Sequence, residues 1–205
     1  MNSNILIDVL PEHIKIDDKV YKINSDFRTS MIFEMMINDD ELSNEEKTNI
    51  ALNLYYPRIP HDRNLAIEAI IWFYGCGKIE RKVNGENSRA RNSSKKNNRI
   101  YDYELDSEYI YSAFLDQYGI DLQDIKCLHW WKFRALFKSL KEDNQIVKII
   151  GYRSIDITKD MSKEQKDFYK KMKKMYEIPK SQTEKEKINE IEKALLSGGD
   201  LSDIL

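Results

Sequence analysis

The side chains able to do chemistry in this chain are few, and their spacing assembles no familiar site. Of the two cysteines, Cys76 stands between Gly75 and Gly77 and Cys127 has no CxxC partner. A thiol becomes a nucleophile when a neighbouring base or cation favours the thiolate, and no known motif places a partner histidine for Cys76. Glycines that end a helix around a small residue are the preferred account of the tripeptide. The third glycine of a dinucleotide fingerprint would fall at Glu80, and no GKS or GKT follows a glycine-rich loop. His13, His61 and His129 are scattered, outside any HExxH, so a structural zinc site lacks ligands. His129 reads as a hydrogen-bonded core histidine. Acidic clusters at Asp39-Asp40-Glu41 and at Asp102, Glu104, Asp106 and Glu108 would need a shared cleft for metal or acid–base work. As helix-start charge they are favoured by the dipole. The expectation is a protein that is no enzyme, with no cofactor and no metal.

The basic residues suggest a second chemistry, phosphate binding. Residues 78–99 carry eight Lys and Arg against Glu80 and Glu86, a net of +6 that leaves −8 on the rest of a chain whose total is −2. Arg89, Arg91, Lys95 and Lys96 are the candidate phosphate contacts, since cations that neutralise phosphates release counterions. No aromatic residue is interleaved to stack bases, as single-strand platforms require. A solvated insert is the preferred reading, and nucleic acid is disfavoured.

The elements that would position any site are mostly helices. The chain has 205 residues, 41% hydrophobic and 33% charged, which suits one domain with extensions. No apolar run approaches the roughly 18 residues of a membrane span, and the start lacks a basic-then-apolar signal. A soluble, intracellular protein is expected, with two unpaired cysteines in a reducing compartment. Alternation predicts strands at 5–9, 14–16 and 20–23, the last two joined by Asp17-Asp18-Lys19 as a hairpin. A helix capped by Ser25 or Asp26 should run to Ile37 and bury Phe27, Met31 and Met35. Ser43 and Glu46 form a capping box for a helix that carries Ile50, Leu52 and Leu54 and stops before Pro57. A third helix is expected over 62–74, ended by Gly75 and Gly77.

Beyond the insert, a helix over 106–118 places Tyr111, Phe114, Leu115 and Tyr118 on one face. A long helix over 121–140, capped by Asp121, gathers Leu122, Ile125, His129, Trp130, Phe133, Leu136, Phe137 and Leu140 on one broad face. Leu128, Trp131 and Ala135 fall on its opposite side and become candidate partner-binding residues. A short helix over 144–150 and a polar, methionine-bearing one over 163–176 come next. After Pro179, a charged segment over 184–196 has a narrow stripe of Ile188, Ile191 and Leu195, a second candidate surface for pairing with one other helix. The fold class expected is mainly α, a helical bundle with a small N-terminal β-hairpin. Its domain is 1–180 with the insert at 78–99, followed by a C-terminal arm over 181–205.

Ordered blocks of this sequence resemble the bacteriophage gene-product-fifteen family of small proteins from the tail module of long-tailed phages. The blocks are IDDKVYKINSDFR at 16–28, LNLYYPRIP at 52–60, AIEAIIWFYGCGK at 66–78, RIYDYELDSEYIYSAFLDQYGIDL at 99–122, LHWWKFRALFKSL at 128–140 and IIGYRSIDI at 149–157. The resemblance brings no catalytic residues. By gene-neighbourhood analogy it implies a tail assembly chaperone, or chaperone accessory, acting on the tape-measure protein in the host cytoplasm. Another tail assembly chaperone or the tail-tube protein is a further partner on that reading, and self-association stays open. The alternatives are a structural tail component or a nucleic-acid-associated protein using the insert.

Overall fold

Local capping signals fix most helix starts. Asp26 accepts the Arg28 N–H and opens α1 (Phe27–Ile37), and the Ser43–Glu46 capping box opens α2 (Asn44–Tyr55). Asp62 accepts from Asn64 and Leu65 to open α3 (Arg63–Tyr74). These caps satisfy N–H groups that have no partner within a helix. The computed structural model describes residues 4–78 and 99–179, and the remaining elements there are α4 (Ser107–Tyr118), α5 (Trp130–Lys138), α6 (Gln145–Ser154) and α7 (Lys163–Met175). A two-stranded antiparallel hairpin, β1 (His13–Ile16) and β2 (Lys19–Lys22), precedes them with Ile14 opposite Tyr21. The mainly helical class with a small N-terminal hairpin is what the structure shows.

The expected strand over 5–9 does not form. Asn4 Oδ1 accepts the Leu6 N–H and Asp8 Oδ2 accepts the Asn4 N–H, so side chains draw the backbone into a turn. α1 also sits rotated from expectation. Its core side is Phe27, Ser30, Phe33 and Met36, while Met31 is half-buried and Met35 exposed. Ser30 can face the core because its hydroxyl pairs with that of Tyr55 at 2.8 Å. In α2 the buried residues are Ala51, Leu52 and Tyr55, and in α4 they are Ile110, Ala113 and Phe114; Ile50 and Leu115, expected inside, are exposed.

The larger correction concerns the long helix expected over 121–140. Only Trp130–Lys138 is helical. Asp121 caps a separate turn by accepting from Gln123 and Asp124, and the chain then runs beside the start of α1. Phe27 N–H donates to Leu128 O and Trp130 N–H to Ser25 O, both at 2.8 Å. Such pairing across a hundred residues leaves no trace in local periodicity. His129 Nδ1 accepts the Trp131 N–H as the cap of α5, and its Nε2 lies 3.1 Å from Pro11 O.

The core is aromatic and centres on Phe133, which is fully enclosed. Its ring stacks on Phe27 (5.1 Å between centroids), Phe114 (4.9 Å) and Trp130 (5.8 Å). Offset stacks of this kind add to the hydrophobic term. Arg153 of α6 ties the later elements together. Its guanidinium donates to both carboxylate oxygens of buried Asp106, at 2.5 and 2.9 Å, and to the carbonyls of Ile100 and Tyr176.

Candidate functional site: an apolar groove between two helices

Trp131 and Leu128, expected on a free surface, are core residues. Trp131 is 4% exposed and Leu128 7%; Ala135 alone of the three faces solvent. The reason is the short α5, which is wedged against the end of α3. Trp130 Nε1 donates to Tyr74 O at 2.9 Å and Trp131 Nε1 to Phe73 O at 2.7 Å, so both indoles tie α5 to that helix end, where Phe73 O also accepts the Cys76 N–H at 3.0 Å. Gly77 is required beside them. Its φ is +71°, and a Cβ there would lie 2.9 Å from Trp131 Cη2. Ile188, Ile191, Leu195, Arg89, Arg91, Lys95 and Lys96 lie outside the described residues.

The apolar surface that the structure does offer is elsewhere. A groove of about 330 Å³ opens between α1 and α4. Phe27 and Met31 form one wall, Ile110 the other, and Tyr103 and Leu122 complete the lining. Two of its polar rim residues, Arg28 and Tyr111, are already engaged. Arg28 donates to Asp26 and to the carbonyls of Leu122 (2.7 Å) and Ile125 (3.0 Å), strapping α1 to the turn before α5. Tyr111 donates to Asp121 at 3.0 Å, a bond that raises the phenol's pKa. With Arg28 and Tyr111 engaged, the apolar lining is the main binding resource, beside the exposed Gln123 amide.

The lining continues onto the outer ridge of α1. Met31 and Met35 are one helical turn apart and so share a face; Ile32 is 51% exposed and Met35 40%. Methionine is flexible and polarisable, which suits a surface that must adapt to a partner. Tyr103 adds a polar element, because its buried hydroxyl has no hydrogen-bond partner among the described residues. Burial pushes that phenol far above its ordinary pKa, keeping it a neutral donor.

The chemistry-bearing residues do not converge. Cys76 adopts φ +59° at the end of α3, and burial pushes its thiol up although Arg134, Lys138 and Lys78 pull the other way. That is the opposite of an activated nucleophile. Both His129 nitrogens are engaged. Among the described residues no three His, Cys, Asp or Glu side chains group closely enough to hold a metal ion, and no helix is long and apolar enough to cross a membrane.

Sequence reasoning missed the groove because it assigned Met31 and Met35 to the core. The available signal was that α1 is apolar nearly all round, which a surface helix has no need to be. No curated protein and no solved structure matches this chain. A family model described as "Bacteriophage Gp15 protein" matches residues 6–178, which takes in both walls of the groove, the core around Phe133 and the Arg153 clamp; the chain belongs to that phage family.

Proposed function

We propose that this phage protein is a non-enzymatic tail assembly chaperone, or chaperone accessory, that binds the tape-measure protein in the host cytoplasm while the tail is built. The observation that carries this reading is the groove between α1 and α4 with its ridge of half-buried Met31 and exposed Ile32 and Met35. An apolar recess beside a methionine ridge suits helix-in-groove recognition, in which one stripe of an amphipathic helix is laid against the receptor. A long helical client exposes many such stripes before assembly, so several copies would act on one client.

Co-expression with the tape-measure protein tests the proposal. The wild-type chain should keep the client soluble and co-purify with it, while Ile32→Glu/Met35→Glu should lose it. Both positions are exposed, so the double variant should unfold at nearly the wild-type temperature. Equal client recovery with both chains would overturn the docking site. Finding the protein in purified virions would favour the structural-component reading instead.

A further inference from the structure

α7 is amphipathic and yet has no buried residue. Phe168, Tyr169, Met172, Met175 and Tyr176 occupy one half of the helix at 100° per residue, and its six lysines fall on the other half, with Lys171 and Lys173 at its borders. α6 covers only part of the apolar half. Tyr152 meets the rings of Phe168 and Tyr176 at about 6.1 and 6.0 Å, and Lys173 Nζ donates to Arg153 O. Phe168 stays 48% exposed and Met175 58%, seven residues apart and so on one line of the helix. A further apolar stripe belongs on that line.

We propose that residues 184–196 of this same chain fill it, docking antiparallel on α7 as the second arm of a helical hairpin. The place where the chain leaves the described structure is the first argument. Arg153 Nε holds Tyr176 O at 2.5 Å, and Pro179 follows three residues later, so the segment starts from a fixed point at the end of α7. Connections of about 2–8 residues join antiparallel neighbours in helical bundles, and 176–183 is such a length. Register is the second. In an antiparallel pair, residues equally far from the centre of the connection stand level. Phe168 is eleven residues before Pro179 and Ile191 twelve after it. Ile188 then falls level with Lys171, between Phe168 and Met175, where a side chain can enter the gap. Charge is the third. α7 has six lysines against Glu164 and Asp167, whereas 180–205 has four lysines against Glu184, Glu186, Glu190, Glu192, Asp200 and Asp203. The net charges, +4 and −2, attract.

A cysteine pair tests this in the full-length chain. In a Cys76→Ser/Cys127→Ser background, Phe168→Cys with Ile191→Cys should be bridged by a short bis-maleimide within one monomer. A covalent dimer would assign the stripe to a second copy, and no bridging at all would remove the contact; either overturns the proposal. Limited proteolysis with trypsin supplies a second reading without engineered cysteines. Phe168→Glu should raise cleavage at Lys185, Lys187 and Lys193 by about tenfold, as expected when a docked segment is released. Unchanged cleavage would equally sink the idea. Neither readout involves the client, so either can fail while the chaperone reading stands.

Discussion

The apolar surface behind α5 and the one along the outer side of α1 differ in what their side chains can do besides exclude water. Behind α5, Trp130, Trp131 and His129 each bring a polar atom, and each atom meets a backbone group: Tyr74 O, Phe73 O, Pro11 O and the Trp131 N–H. Directional bonds and stacked rings fix one arrangement there. Along α1, Met31, Ile32 and Met35 have no hydrogen-bonding groups and remain half-buried or exposed. Shape alone governs what packs on them, so that surface can accept more than one partner geometry. Aromatic amphiphiles build the fixed interior of this protein, and methionines mark the surface free to adapt.

Truncating one side chain on each surface gives the largest test of that contrast. Trp131→Ala removes an enclosed ring together with its indole bond to Phe73 O, so urea unfolding should show a loss of roughly 3–5 kcal/mol. Met35→Ala should change stability by no more than about 0.5 kcal/mol. Similar losses from both would place Met35 in the core and remove the basis for an adaptable ridge.

The Arg153 clamp extends the comparison to α7. Arg153 and Asp106 are nearly fully buried, and the Arg153 guanidinium also reaches both the bend at Ile100 and the end of α7 at Tyr176. Arg153→Lys keeps the charge but not the fork, which a carboxylate pair needs. Unfolding free energy should fall by about 1.5–3 kcal/mol. Hydrogen exchange should quicken first in α7 and around Ile100, with the rings stacked on Phe133 protected as before. Uniform loss of protection would mean that α7 is as firmly joined to the core as α5.

Much of this architecture was readable because local chemistry decides it. Asp26, the Ser43–Glu46 box and Asp62 mark helix starts on sequence alone, and Gly119 in the left-handed region ends α4 as its position suggests. The hairpin follows from alternation around Asp17, whose φ is +51°. What stayed hidden depends on partners far along the chain. Residues 128–130 pair with 25–27, so helical spacing in LHWWKFRALFKSL overstated the helix and put Trp131 on the wrong side. The side of α1 that faces the core includes Ser30, which is accommodated by its hydroxyl pair with Tyr55, 25 residues away. The groove draws its lining from α1, from Tyr103, from α4 and from Leu122, and no single window of sequence contains them all.

His129 gives the smallest effect, and one with a defined sign. Its Nδ1 accepts the Trp131 N–H, which places the ring proton on Nε2 facing Pro11 O. Burial is the main cause that lowers its pKa below the usual 6.5; the Pro11 carbonyl opposes that shift and Lys132 adds to it. Protonation would put a hydrogen on Nδ1 and aim two donors at each other across the cap of α5. The unfolded chain therefore binds this proton more readily than the folded one, and stability rises with pH in that interval. The contribution is complete above the usual value of 6.5 and is lost as pH falls from there through the folded pKa. His129→Asn keeps an oxygen that can accept the Trp131 N–H without titrating. Urea midpoints followed from about pH 8 to about pH 5 should fall further for the wild type than for this variant, because histidine titrates in that range. Parallel curves would show that the imidazole stays neutral throughout the range and that the carboxylates alone set the acid response.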